Sequence, residues 1–550
     1  MSILCKQPTQ EPACKKACPA GVDVPRYMGL ISKGMFSEAL AVIRQRIPFP
    51  IVCGYICPHP CEEACRWSRM GDPLAIRGLK RFVADNADDH RWDRTSAIQQ
   101  TGKRVAIIGS GPAGLTAGYY LARCGHLVKI FEGQSEPGGM LRLCVPEYRL
   151  PKELIDREIA RIQESGVEIQ TNVKISSLTS LMADGYDAAL IAVGAGRGAK
   201  LNIEGSDLVG VEVATSFLAN LTGQTLVTSG DTIVVLGGGN VAIDCARTAL
   251  RLGAKEIHMI CLEAVNEMVA SPEEIDQCRE EGIMIHNSLS CTKIIGKNSK
   301  VGGVECVAVC SFKFNDDGKA TIECDWESKT FFPADKVIFS VGQLPELDFI
   351  SDLQEIRVSK KAVLEIDTQT MSVGYQGVFA AGDVLTGTKS VVEAIESGRQ
   401  AAIAIDRYLG GRGIPESTID FVMAEETEEE RKSLKFQREA HPEFLPANAR
   451  QNSFSLVEVS FGSEKEVIEE AKRCLRADLP IYYDSRLCAQ CHACELACSM
   501  VTEGTFNISK AKLKLLGEKD ESPEYKIVFL DSCINCGFCV TVCPYGALTH

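Results

Sequence analysis

The sequence predicts an α/β core of two glycine-turn units set between two cysteine-rich domains. Three observations carry this. Two segments, 105–132 and 232–263, each read as a strand, a glycine turn, a helix and a second strand that ends in an acid. The 25 cysteines fall mainly in two clusters, seven before residue 66 and eight from Cys488 to Cys543. The remaining cysteines are scattered through apolar segments, where they read as small core residues.

Composition narrows the class. A chain of 550 residues allows about three or four domains of ordinary size. A formal charge of −14 and the lack of a basic run argue against nucleic acid as a partner. No apolar stretch approaches the roughly 18 residues of a membrane span, so no membrane insertion is expected. The first residues hold Cys5, Cys14 and Cys18 rather than a signal-peptide core, which points to a cytoplasmic protein. Disulfide scaffolds are small and secreted, so the two cysteine clusters are expected to hold metal.

Residues 1–100 form the first domain. After Cys5, Cys14 and Cys18, helices are expected over 27–33 and 36–46, followed by Cys53, Cys57, Cys61 and Cys65. A spacing of four suits a helix face, but Pro58 and Pro60 forbid a helix through that segment, so a loop around inorganic ligands is expected. Thiolates from a short loop and a distant pair suit an iron–sulfur cluster, with four-ligand zinc as the competing occupant. Two [4Fe–4S] clusters need eight ligands and seven cysteines are present, so one or two clusters are expected.

The segment CGYICPHPCEEAC followed by PLAIRGLKRF resembles the amino-terminal domain of the glutamate synthase small subunit and of dihydropyrimidine dehydrogenase. Cys14-x3-Cys18-Pro19 matches the end of their opening loop, while Cys5 alone replaces its first pair. The polar ligand that dihydropyrimidine dehydrogenase places on the next helix falls on Lys80, which cannot serve while protonated. The resemblance implies Cys5, Cys14 and Cys65 at one cluster and Cys18, Cys57 and Cys61 at the other, each one ligand short, with Cys53 able to fill a gap.

The core divides into 101–230, 231–340 and 341–411. In the first part Gly109 permits the tight turn, Gly111 lets a pyrophosphate approach, Gly114 lets helix and strand pack, and Glu132 can accept from a ribose hydroxyl. The middle part repeats the design with Gly237, Gly239 and Ala242, so two dinucleotides are implied. The last part places Asp383 where a strand ends and a helix begins, suited to a ribityl hydroxyl. Through GPAGL, GGML, PEYRLPK, GGGNVAIDCARTALRLGA and GVFAAGDV the core resembles two-dinucleotide-domain flavoproteins, and among them the glutamate synthase small subunit. That resemblance implies FAD at Gly109, Gly111, Gly114, Glu132, Gly139, Met140, Arg149, Gly382 and Asp383, and a nicotinamide nucleotide at Gly237, Gly239, Asn240 and Val241. Relatives that use NADPH carry an arginine pair where this chain has Leu262 and Glu263, so NAD(H) is expected over NADP(H); the alternative has Arg247 or Arg251 contacting a phosphate. No Cys-x2-Cys or Cys-x4-Cys pair lies in the core, so a disulfide-reductase mechanism lacks its thiols. Hydride passes between nicotinamide and flavin without a protein acid or base, and no catalytic side chain is named.

Residues 412–480 read as a polar linker with the acidic run EETEEE at 425–430 and a helix over EKEVIEEAKRCLRADLP. Residues 481–550 carry the strongest motif, the bacterial two-cluster pattern: Cys488, Cys491, Cys494 and Cys498, then Cys533, Cys536, Cys539 and Cys543. Three cysteines of each run reach one cubane and the fourth crosses to the other, so Cys543 joins the first three and Cys498 joins Cys533, Cys536 and Cys539. Ser499 stands where a proline is expected and should loosen that corner; an inserted hairpin is expected between the runs.

The fold class is therefore an α/β two-dinucleotide-binding-domain flavoprotein core with an amino-terminal α-helical iron–sulfur domain and a carboxy-terminal α+β bacterial ferredoxin-like domain. The parts make a wire from a two-electron donor through a flavin to one-electron clusters. The expected function is electron exchange between NAD(H) and a ferredoxin or partner redox subunit, within a hetero-oligomeric complex. The chain resembles electron-input subunits of ferredoxin-linked oxidoreductases. The alternatives are a glutamate synthase small subunit and a non-catalytic electron-relay module.

Overall fold

The computed structural model describes residues 3–6, 11–69, 71–87, 99–220, 227–315, 320–414, 442–451, 453–475, 481–517, 525–530, 532–533 and 536–549. The acidic run at 425–430 lies outside the described residues. Two compact units are present, Thr95–Pro415 with Phe444–Val459, and Met1–Arg94 with Glu416–Glu443 and Ser460–His550.

The first unit holds two parallel five-stranded sheets. One runs in the order Val378–Ala380, Ala188–Ile191, Arg104–Ile108, Leu127–Phe131, Val167–Gln170. Its central strands are apolar runs with both faces covered, as parallel sheets require, and Val105, Ala106 and Ile107 are fully buried. The helix Val391–Tyr408 opens on a capping box between Ser390 and Glu393. It packs on Pro112–Arg123 so closely that a Cβ on Gly398 would lie 2.2 Å from the Ala113 carbonyl oxygen.

The other sheet runs Met284–His286, Glu256–Ile260, Thr232–Leu236, Lys336–Phe339, Val211–Val213. Val211–Val213 precedes the second glycine turn in the chain but pairs with Lys336–Phe339, Val211 opposite Val337. An antiparallel sheet of Leu289–Lys297, Lys300–Phe314 and Ala320–Pro333 packs on it through Ile294, Val304 and Phe332. Residues 444–459, read from sequence as linker, are part of this unit. Val457 N donates to Tyr148 O at 2.9 Å, and Arg450 pairs with Glu280 at 3.0 Å.

In the second unit, helices Val24–Ile31, Phe36–Arg44, Pro50–Ile56, Pro60–Glu63 and Ile76–Asn86 build the amino-terminal part. The cysteine segment is more helical than expected. Pro50 and Pro60 sit in the first helical turn, where their missing N–H costs nothing, and the chain breaks only at 57–59. In the carboxy-terminal part, Ile481–Tyr483 pairs antiparallel with both Leu548–Thr549 and the strand Ile3–Lys6. The inserted hairpin is present as Leu513–Gly517 against Tyr525–Phe529. The expected linker helix is Glu464–Lys472. No described helix is long and apolar enough to cross a membrane.

Candidate functional site

Most of the residues expected at the flavin converge on the turn between Arg104–Ile108 and Pro112–Arg123. Gly109 has φ +104°, and a Cβ there would lie 2.4 Å from the Ala192 carbonyl oxygen, so only glycine fits. A Cβ on Gly114 would lie 2.1 Å from Gly109 O, which seats the helix on the strand. Gly111 is different: a Cβ there would meet nothing within 4 Å, and the position faces open space at a helix N-terminus. Gly139 packs against the Gly111 backbone, its absent Cβ 2.8 Å from Gly111 Cα. Gly382 closes the turn from another side, 2.9 Å from Ala113 Cβ by the same construction.

Two carboxylates flank this turn. Glu132, at the end of Leu127–Phe131, is 8% exposed. It accepts from Ser110 N at 3.0 Å and Gln134 N at 2.8 Å, and from the Ser110 hydroxyl. Asp383 follows Gly382 at the start of Asp383–Thr386 and accepts from Lys389 N at 3.3 Å. Burial pushes its carboxyl up to about 6. Met140 opens the short helix Met140–Leu143, its methyl facing Gly196. Arg149 reaches elsewhere, pairing with Asp244 at 2.7 Å and with Glu274.

The second turn lies between Thr232–Leu236 and Asn240–Arg251. A Cβ on Gly237 would lie 2.3 Å from Ser340 O, and Gly239 caps the helix. The Glu263 carboxylate lies over the turn, 2.8 Å from where a Cβ on Gly238 would stand. Asn240 Oδ1 accepts from Ser271 N at 3.0 Å, holding the loop after Glu263, and Val241 packs into the core of this sheet. Arg247 and Arg251 turn inward onto one acid, pairing with Glu281 at 2.6 and 2.8 Å. Burial alone would raise the Glu281 carboxyl, but Arg251 and Arg247 hold it below its ordinary value. Both guanidiniums also lie over the Tyr148 ring, at 4.0 Å for Arg251 and 5.1 Å for Arg247.

The carboxy-terminal cysteines lie near one another. Cys488, Cys491, Cys494 and Cys543 line one cavity with Tyr483 and Leu515. Cys498, Cys533, Cys536 and Cys539 are buried, and Cys539 has Cys536, Cys494, Cys498 and Cys533 as neighbours. Burial pushes the Cys494 thiol up to about 12 and Cys536 up to about 11. Ser499 ties its corner rather than loosening it, donating to Leu496 O at 2.9 Å and accepting from Asn507 N at 3.0 Å. Lys512 N donates to Cys498 Sγ at 3.1 Å.

In the amino-terminal part, burial and the neighbouring Cys65 push the Cys14 thiol up to about 12. Cys61 has Lys80, Cys57 and Cys18 around it. Cys53 is fully buried on Pro50–Ile56. Cys5 falls where the pairing of Ile3–Lys6 with Ile481–Tyr483 becomes irregular, and its side chain lies outside the described residues. The two cysteine-rich parts share a core. Trp67, 1% exposed, packs edge-on against Phe538 at 5.6 Å and donates from Nε1 to Arg473 O at 2.6 Å. Cys65 and Cys536 pack into this same cluster.

Three features escape a reading by spacing. Trp67 has no motif. The Tyr148 network draws on segments far apart in the chain. Cys291 and Cys306 stand opposite each other on neighbouring strands, a thiol pair that a search for Cys-x2-Cys passes over.

A family model for pyridine nucleotide-disulphide oxidoreductases matches residues 103–398, the span that carries both turns. The chain belongs to that family. It carries a 4Fe-4S cluster domain of the dihydropyrimidine dehydrogenase domain II type at 3–92 and a 4Fe-4S binding domain at 526–549. The beta subunit of NADP(+)-dependent formate dehydrogenase from Moorella thermoacetica is 37% identical over 425 residues, which are 72% of this chain and 60% of that one. The chain thus spans less than two thirds of that relative's length. From Escherichia coli K12, the NADPH glutamate synthase small chain is 31% identical over 428 residues, 72% of this chain and 89% of that one. The NAD-dependent dihydropyrimidine dehydrogenase subunit PreT of the same strain is 33% identical over 405 residues, 72% of this chain and 91% of that one.

Proposed function

We propose that this family member is a cytoplasmic iron–sulfur flavoprotein subunit that exchanges electrons between NAD(H) and a ferredoxin or partner redox enzyme. The observation that carries the reading is the union, in one chain, of two glycine turns flanked by acids and two sets of buried cysteines. Gly111 leaves room at a helix N-terminus for a pyrophosphate, Glu132 stands beside it for a ribose hydroxyl, and Asp383 for a ribityl hydroxyl. FAD held there would supply the conversion between hydride and single-electron chemistry. The chain's own part is to orient both nucleotides and exclude water. Arg149 bridges the flavin-side segment to Asp244 on the nicotinamide-side helix, which fixes the approach of the two dinucleotide-binding parts.

NAD(H) is favoured over NADP(H) on charge. Glu263 lies over the second turn, where a carboxylate repels a 2′-phosphate and accepts from a free 2′-hydroxyl. Arg247 and Arg251, the candidates for a compensating contact, are consumed by Glu281. The names of the relatives include both NADP- and NAD-dependent proteins, so the nucleotide is a property of the individual chain. The test is steady-state reduction of a viologen dye and of ferredoxin by the purified protein with each nucleotide. A higher kcat/KM with NADPH than with NADH overturns the assignment.

A further inference from the structure

The antiparallel sheet of Leu289–Lys297, Lys300–Phe314 and Ala320–Pro333 sets two free cysteines face to face. Cys291 is the register partner of Cys306, and directly opposed residues of an antiparallel pair point to the same face. That face is the buried one. Both thiols join the cluster of Ile294, Val304 and Phe332, with Cys291 9% and Cys306 0% exposed. The ladder fixes their spacing. Val309 N donates to Ser288 O at 2.8 Å, and the register then runs unbroken from Leu289 to Cys291. Hydrogen-bonded and non-hydrogen-bonded pairs alternate, so Cys291 and Cys306 stand at a non-hydrogen-bonded site, where Cα atoms are about 4.5 Å apart. A disulfide spans roughly 4.4–6.8 Å between Cα atoms. The two thiols are therefore within bonding reach without a backbone rearrangement.

The pair is asymmetric. Cys306 beside it holds the Cys291 thiol below its ordinary value, whereas Cys291 and burial push Cys306 up. Cys291, the more exposed of the two, is thus the one that attacks first. We propose that Cys291 and Cys306 form a reversible redox site that closes to a cross-strand disulfide by exchange with a small-molecule disulfide, and that closure weakens nucleotide binding at the second glycine turn. In the first step the Cys291 thiolate attacks one sulfur of the small disulfide, whose S–S bond breaks to release a thiolate. Cys306 then gives its proton to solvent and attacks the Cys291 sulfur, releasing the second thiolate. Two protein thiols are oxidised and the small disulfide is reduced to two thiols. A disulfide at the short edge of its Cα range is strained and readily reduced, which makes it a labile bond rather than a structural one. The connection to the turn runs through the backbone. Ser288 N donates to Glu263 O at 3.0 Å and Leu289 N to Cys261 O at 3.0 Å, so the strand that carries Cys291 begins by holding the acid of the turn. Widening the strand pair towards the roughly 5.5–6 Å that a disulfide prefers draws these donors off their carbonyls. This effect rests on the reading that the second turn binds a nicotinamide nucleotide.

The test equilibrates the full chain, purified anaerobically, with glutathione buffers of varied reduced-to-oxidised ratio. Peptide maps after acid quench and alkylation give the pairing, and dye reduction by NADH after buffer removal gives kcat and KM. The expected result is a linked Cys291–Cys306 peptide that grows with the oxidised form and disappears with dithiothreitol. The KM for NADH should rise with it by about fivefold or more at unchanged kcat. Cys306→Ala should form no link and keep its KM through the same treatment. Flavin content and thermal melts report its folding, and Cys306→Val replaces it where these fall. The exposed Cys310 on the same sheet shows that the oxidant has reached this face. Oxidised Cys310 with Cys291 and Cys306 still free at every ratio overturns the proposal, as does a linked protein with the KM of the reduced one. Reduced wild type that reacts with neither NADH nor NADPH instead overturns the reading of the second turn, while the peptide map still decides the thiol pair.

Discussion

Gly109 and Gly111 are two residues apart, yet alanine should act oppositely at the two positions. At Gly109 the new Cβ meets Ala192 O at 2.4 Å in a backbone with φ +104°. Strain of about 1–3 kcal/mol and overpacking of about 1–3 kcal/mol together predict a loss of roughly 2–6 kcal/mol, whether or not flavin is present. At Gly111 the backbone is extended, with φ −70° and ψ −179°, and the Cβ enters open space. Gly111→Ala should therefore change the stability of the apoprotein by no more than about 0.5 kcal/mol. The added methyl would instead occupy the path of the pyrophosphate. Overpacking of about 1–3 kcal/mol against the ligand corresponds to a roughly 5- to 150-fold weaker FAD affinity. Thermal melts of deflavinated protein and FAD titration by flavin fluorescence separate the two effects. The reasoning fails if Gly111→Ala binds FAD like wild type, or if its apoprotein melts as low as that of Gly109→Ala.

The remaining expectations concern selectivity, pH and the shared core. Glu263→Arg should shift the ratio of kcat/KM for NADPH over NADH upward by about tenfold or more, about 1.4 kcal/mol, in dye reduction. The Asp383 carboxyl is raised to about 6 from 3.8, so its folded form holds the proton more tightly than the unfolded chain does. Its contribution to apoprotein stability is present below the ordinary value and is lost as pH rises through about 6, by at most about 3 kcal/mol. Melts of deflavinated wild type against Asp383→Asn across that interval measure it, and an identical pH profile in both would contradict it. Trp67→Ala should cost about 3–5 kcal/mol by opening a cavity, and Trp67→Phe about 1 kcal/mol for the lost hydrogen bond to Arg473 O. Urea unfolding followed by iron–sulfur absorbance checks both.

The two glycine turns and the tandem cysteine runs were legible because the chemistry there constrains neighbours in the chain: a turn needs glycine within a few residues, and a cubane needs thiolates at fixed short spacing. Arg149 was placed at the flavin by resemblance, but its ion pairs are with Asp244 and Glu274, partners about a hundred residues away that no local pattern announces. The same holds for Glu281, which pairs with both Arg247 and Arg251. Pro58 and Pro60 marked a real break in the cysteine segment, but helices resume on both sides because proline is well tolerated in a first turn. Ser499 read as a weakness because a proline was missing. Its hydroxyl instead makes two hydrogen bonds within a buried corner, a gain visible only once Asn507 and Leu496 are in place.

The central claim is that one chain joins a nicotinamide site to iron–sulfur clusters through a flavin. Anaerobic titration of the purified protein with NADH, followed by flavin absorbance and by EPR, tests it most directly. Stoichiometric flavin bleaching with the appearance of reduced-cluster signals is the predicted result. Protein that contains flavin and iron but shows neither change with NADH or NADPH would contradict the account and leave the chain a relay without a nucleotide reaction of its own.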